Sequence, residues 1–201
     1  MSPRNEESNK QIRDERREQI LRAALQVFAR KGLAATKISD IAAAAQLSHG
    51  LIYHYFKSKD EIFTVLATEA LETSSNIIAY AANLPGTPWE RLTTMTEAIV
   101  PTAYQGIGPF YFLIVIQAFT SEAVPAQVKE VAAKQSSVYT EHLVPLIREG
   151  QQRGEVSEGD PFQLAVAYTS LIQGIGIVKT LGGEELPLPT PEMILRLLKA
   201  H

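Results

Sequence analysis

Residues 36–61, TKISDIAAAAQLSHGLIYHYFKSKDE, restrict the fold of this chain more than any other stretch. Ile38, Ile41, Ala42 and Ala45 fall at i, i+3, i+4 and i+7, which places them on one face of a short helix that Thr36 is expected to cap. The alanine run from Ala42 to Ala45 carries little side-chain bulk, so a second helix can cross it closely. Gln46 and Leu47 form the turn, and Ser48 is a suitable cap for the next helix, in which Ile52 and Phe56 face inward. That leaves His49, Gly50, Leu51, Tyr53, His54 and Tyr55 around the outer faces. A third helix begins at Ser58, with Glu61 in the capping-box position and Asp60 in the acid-favouring first turn. Two short helices across a tight turn suit a helix-turn-helix, whose second helix reads the DNA major groove.

The charge distribution agrees with a nucleic-acid partner at one end. Residues 1–60 carry 11 Lys and Arg against 7 Asp and Glu, a net of +4, and residues 61–201 carry 8 against 15, a net of −7. A basic end on an acidic body presents one end to phosphate and keeps the other away.

Breaks and caps divide the whole chain into about nine helices and no strand, an all-α class. The first runs from about Asp14 to Lys31, with Ile20, Leu21, Ala24, Val27 and Phe28 inward and Gly32 as its stop. Helix 4, from about Lys59 to Ala82, is about 36 Å long and links two bodies mechanically. Thr87-Pro88-Trp89-Glu90 has the cap, first-turn proline and capping-box acid of a fifth helix. Apolar and mixed helices follow to Phe119, from Ala126 to Arg153, and from Asp160 to Gly182, with a short final one from Thr190. Pro145 predicts a kink in the seventh, which either widens a cavity or bends the helix around the core.

Leu164, Tyr168, Leu171, Ile175 and Val178 step by 4, 3, 4 and 3, with Gly174 beside them, and Ile194, Leu197 and Leu198 add a stripe on the final helix. Such a seam packs either within one chain or between two copies.

Enzymatic and membrane classes find little support. There are no cysteines, which removes disulfides and thiol chemistry and accords with a reducing cytoplasm. The histidines at 49, 54, 142 and 201 are scattered without metal-ligand spacing, and no phosphate loop or nucleophile elbow is present, so no catalytic residue, metal or cofactor is expected. The longest uninterrupted apolar run, about Phe110 to Ile116, is far below the ~20 residues of a membrane span. The charged start of the chain has no signal-peptide core and is expected to be an unstructured or fraying arm over residues 1–13.

Thr36, Ile41-Ala42, Ala45-Gln46-Leu47-Ser48, His49-Gly50-Leu51-Ile52-Tyr53-His54-Tyr55-Phe56 and Lys57-Ser58-Lys59-Asp60 together resemble the DNA-binding domain of the TetR family of transcriptional regulators. Gln46 stands where that family has a turn glycine, and a left-handed backbone there would cost about 1 kcal/mol. The resemblance implies a DNA-binding domain over residues 14–66 and a ligand-binding and dimerisation domain over 67–201. Thr36, Lys37, Ser48, Tyr53, Tyr55 and Lys59 are then candidates for phosphate and positioning contacts, and half-buried packing is the competing role for the tyrosines. His49, Leu51 and His54 are the candidate base readers, and Gly50 permits close approach to the groove. The family's sensor role directs attention to Trp89, Tyr104, Phe110, Phe112, Gln117, Tyr139, His142, Tyr168 and Gln173, as aromatic walls with a few polar anchors. It also assigns the last two helices to a homodimer. The expected partners are an operator, an apolar or aromatic small-molecule effector and a second copy, for a repressor. The rival is an architectural DNA-binding protein without a sensor.

Overall fold

The computed structural model describes residues 3–182 and 185–200, apart from the side chains of residues 3–7 and 102–104. The order is α1 (Pro3–Ala35), α2 (Ile38–Ala45), α3 (His49–Tyr55), α4 (Lys59–Ala82), α5 (Pro88–Tyr104), α6 (Gly108–Thr120), α7 (Ala126–Val138), a π-helical turn (Tyr139–Leu143), α8 (Val144–Gln152), α9 (Pro161–Gly182) and α10 (Pro191–Leu195). Because α7, the π turn and α8 run on continuously, the described residues form nine helical rods. They contain no strand, only an isolated antiparallel bridge between Val156 and Lys199.

The caps fall close to where the sequence places them. Ser48 accepts from the Leu51 N–H at 3.2 Å, and Ser58 from the Glu61 N–H at 3.1 Å. Thr87 and Glu90 close a reciprocal box of 3.2 and 2.8 Å. At α2 the cap residue is Lys37 rather than Thr36, and the Asp40 carboxylate reaches back to the Lys37 N–H at 3.0 Å. Gln46 takes the left-handed conformation (φ 56°, ψ 39°) that ends α2, and it is the one non-glycine with positive φ among the described residues.

One further expectation is corrected. Residues 3–13 of the stretch read as an unstructured or fraying arm are helical, since α1 begins at Pro3, and residues 1 and 2 lie outside the described residues. Gln11 to Glu15 (3.0 Å) and Arg16 to Gln19 (2.7 Å) show the i+4 and i+3 side-chain pairs that support this charged extension. Gly32 stops the regular helix as expected: at φ 76° and ψ 161° it is non-helical, and the short turn after it continues α1 across a kink. The expected break at Pro145 is a π turn just before it, in which the Val144 N–H reaches the Tyr139 carbonyl. Proline lacks an N–H and crowds the preceding turn, and the wider π turn accommodates both defects.

One buried cluster contains Phe28, Ile41, Ile52, Phe63 and Leu66 of the first four helices together with Ile114, Ala118 and Val128 of α6 and α7. Phe28 and Phe63 meet edge to face at 5.3 Å at its centre. The second cluster gathers α5, α8, α9 and α10 around Met95, Ile147, Tyr168 and Leu198. Helix α4 packs on α1 at one end and on α5, α6 and α7 along its length, so the N-terminal helices are anchored to the larger body rather than suspended from it.

Candidate functional site

Ile52 and Phe56, at 0% and 2% exposure, pin α3 against the core, so its remaining side chains point away. His49, Gly50, Tyr53 and His54 are exposed, and Leu51 and Tyr55 are half-buried. The His49 and Tyr53 rings lie 5.1 Å apart, and those of His54 and Tyr55 5.3 Å. Tyr55 also packs against the core, which gives it the structural share of its expected double role. A Cβ built on Gly50 meets nothing within 4 Å, so packing inside the chain does not require glycine there. Lys37 and Ser48 are exposed at the starts of α2 and α3, and the exposed Lys57 directly follows α3. Glu61 accepts from the Lys57 N–H at 2.6 Å, and Asp40 lies beside Lys37. Its hydrogen bond from the Lys37 N–H and its 3.0 Å pair with Lys31 hold its carboxyl below the usual range.

Two expected phosphate ligands do other work. Thr36 is 1% exposed, and its hydroxyl donates to the Gly32 carbonyl at 2.7 Å. Lys59 donates to the carbonyls of Leu33 (2.8 Å), Ala34 (3.1 Å) and Thr36 (2.8 Å), which uses all three N–H bonds of its ammonium. A cation at the start of α4 is electrostatically awkward, but here the carbonyl-rich end of α1 compensates it. From the opposite side Gln117 of α6 donates to the Phe28 carbonyl at 2.9 Å and accepts from the Leu33 N–H at 3.2 Å. The kink at Gly32 is thus held by α4 and by α6.

A cavity of about 250 Å³ lies in the larger body among α4, α5, α6, α7, the π turn and α9. Phe112, Tyr139, Tyr168 and Gln173 line it as expected. Trp89, Phe110, Gln117 and His142 do not. The Trp89 N–H binds Glu155 at 2.9 Å while Lys199 lies 6.0 Å over its ring, Phe110 lies under Arg30 at 5.7 Å, and His142 sits half-exposed on the π turn. The side chain of Tyr104 lies outside the described residues. Sequence reasoning missed Glu69, Thr73, Gln135 and Thr169. Gln135 carried a signal, since it continues the stripe Val128, Ala132 into a buried position as a polar residue. Burial raises the Tyr139 and Tyr168 pKa values, the latter to about 12.

The residues expected in a dimer seam divide between the core of the single chain and its surface. Tyr168, Ile175, Ile194 and Leu198 are buried within the single chain, and Leu164 packs partly against the same core. Leu171, Val178 and Leu197 are exposed, joined by Phe162, Val166, Ile177, Leu181 and Met193, while Gly174 is half-buried. By length and composition alone α9 is apolar enough to cross a membrane, yet one of its sides forms core.

An all-helical chain that exposes the second helix of a helix-turn-helix beside a helical body with a cavity has the form of a DNA-binding transcription regulator. Residues 20–66 match the family described as bacterial regulatory proteins, tetR family. The chain is similar to the HTH-type transcriptional regulator AcrR of Shigella flexneri, 36% identical over 96 residues that span 45% of this chain and 41% of AcrR. It is also similar to the HTH-type transcriptional repressor KstR2 of Rhodococcus jostii, 30% identical over 138 residues that cover 67% of this chain and 60% of KstR2. Among solved structures, the MbdR regulator from Azoarcus sp. CIB aligns with a TM-score of 0.75 at 26% identity, over 92% of this chain and 97% of that one. Residues 20–66 thus carry the N-terminal DNA-binding domain of the tetR family of bacterial regulatory proteins.

Proposed function

We propose that the protein is a homodimeric, ligand-responsive repressor that binds a near-palindromic operator and leaves it when a small molecule fills the cavity. The observation that carries this reading is that the cavity and the N-terminal head share two helices. Helix α4 clamps the end of α1 through Lys59 and lines the cavity with Glu69 and Thr73. Helix α6 lines it with Phe112 and Val115 and holds the same end of α1 through Gln117. A ligand that binds better to one arrangement of these helices biases the position of α3.

On this reading residues 14–66 form the DNA-binding domain and 67–201 the sensor and dimerisation domain. His49, Leu51 and His54 read bases, Gly50 admits the groove edge, and Lys37, Ser48, Tyr53, Tyr55 and Lys57 face phosphates. The exposed apolar side of α9, with Met193 of α10 and Leu197 just beyond it, covers itself against a second copy, because an extended apolar patch is unusual on a monomer. The name of the relative KstR2, a repressor, supports the direction of regulation. An architectural protein needs a filled core in the larger body, so the cavity and its buried Gln135 favour the sensor.

The test is selection of bound duplexes from a random pool at fixed near-physiological salt, with wild-type protein and with Val178→Asp/Leu181→Asp. The wild type enriches an inverted repeat, and the double variant, monomeric on sizing, loses most of that affinity. Tight binding without any enriched site would return the protein to the architectural class.

A further inference from the structure

We propose that the cavity is built for an organic cation, an aromatic or branched apolar body carrying a protonated amine whose N–H bonds are received by Glu69 and Gln135. The proposal rests on the reading of the cavity as the sensor site and names the class of its ligand.

Several polar groups around the cavity are left as acceptors, beside the neutral donors of Thr73, Tyr111, Tyr139 and Gln173. Gln135 is 3% exposed, and its Oε1 has no hydrogen-bond partner. A buried acceptor left unpaired costs about 1–3 kcal/mol, which a donor-bearing ligand recovers. Ser74 already donates to the Ala70 carbonyl at 3.0 Å and Thr169 to the Ala165 carbonyl at 2.9 Å, so each retains only lone pairs. The proton of Tyr168 is committed as well. Thr96 donates its hydroxyl to the Leu92 carbonyl at 2.7 Å, so the 2.7 Å contact between Thr96 and Tyr168 has Tyr168 as donor.

Charge points the same way. Glu69 is exposed where it meets the cavity, and no Lys, Arg or His is among the described lining residues. Its negative charge reaches the Tyr111 hydroxyl, which burial first, and then Glu69 and Glu18 against Arg22, push up from its ordinary value. Tyr111 and Tyr139 are phenols and bring no positive charge to a bound anion. Their rings, with those of Phe112 and Tyr168, supply the faces that attract a cation once water is displaced. A carboxylate or phosphate in the same place would meet only neutral donors and lie beside a carboxylate.

The experiment titrates the full-length protein calorimetrically with three ligands of one skeleton: 4-phenylbutylamine, 4-phenylbutan-1-ol and 4-phenylbutyrate. The amine binds about tenfold more tightly than the carboxylate, with the alcohol between them. Glu69→Gln weakens the amine about three- to fivefold and leaves the alcohol unchanged, as suits a partly exposed carboxylate. Gln135→Leu weakens amine and alcohol together, because each loses an acceptor. A carboxylate equal to or tighter than the amine overturns the proposal while leaving the cavity a ligand site. Equal losses of amine and alcohol in Glu69→Gln overturn it too. If none of the three binds the wild type, the sensor reading itself falls and the ligand class with it.

Discussion

Lys59 gives the sharpest test of how the head is held. Lys59→Met keeps most of the aliphatic stem and removes the ammonium from three carbonyls at the end of α1. A hydrogen bond to a charged group contributes about 1.5–3 kcal/mol, and relief of a helix C-terminus about 0.3–1 kcal/mol. Lys59 is half-buried, so water partly replaces it at the freed carbonyls, and the loss in stability is about 2 kcal/mol rather than the full sum. For a chain of 201 residues that lowers the melting temperature by about 4–8 °C. Lys59→Arg does not restore it, because a planar fork cannot aim at three carbonyls as a compact ammonium does. Circular dichroism melts of the three proteins measure the loss, and operator titrations at several salt concentrations measure the phosphate count. The salt slope stays at its wild-type value. A variant that melts like wild type while its slope falls by about one unit would refute the clamp and return Lys59 to the phosphates.

Gln46→Gly removes a left-handed non-glycine at the turn and adds freedom to the unfolded chain, for a net gain of about 0.5 kcal/mol, read as a rise of the urea midpoint at unchanged slope. Gly50→Ala, whose Cβ has open space, leaves stability equal or slightly higher and abolishes operator binding, because the added methyl meets the groove; retained affinity would remove Gly50 from the interface. Tyr168 holds its proton more tightly folded, to about pH 12, than unfolded, near pH 10. Its contribution is complete below pH 10 and is lost as pH rises toward 12, so Tyr168→Phe flattens that part of an alkaline unfolding curve.

The helix-turn-helix was legible because each of its signals is local. The caps at Ser48 and Ser58, the stripe Ile38, Ile41, Ala42, Ala45 and the left-handed turn at Gln46 are decided by neighbours within a few residues. What was misread depends on distant partners. Lys59 meets carbonyls 23 to 26 positions earlier, and Gln117 looked like a pocket anchor because its real partners, Phe28 and Leu33, are 89 and 84 positions away. Along α9 periodicity could not choose a side, because apolar residues occupy nearly its whole circumference. Only the packing of Tyr168 and Ile175 shows which side faces the core. Glu69 left no mark at all, being one acid among the mixed residues of a long helix.

The double grip on Gly32 has a practical consequence for anyone recombining members of this family. A chimera joined at residue 66 carries Lys59 along with its head but leaves Gln117 behind with the larger body. The transplanted α1 then presents the Leu33 N–H and the Phe28 carbonyl to whatever the recipient places there, and an apolar residue would strand a donor beside the buried Leu33. Head and larger body are interchangeable only when that glutamine travels with the head, which makes one residue of α6 a part of the N-terminal module despite its place in the chain.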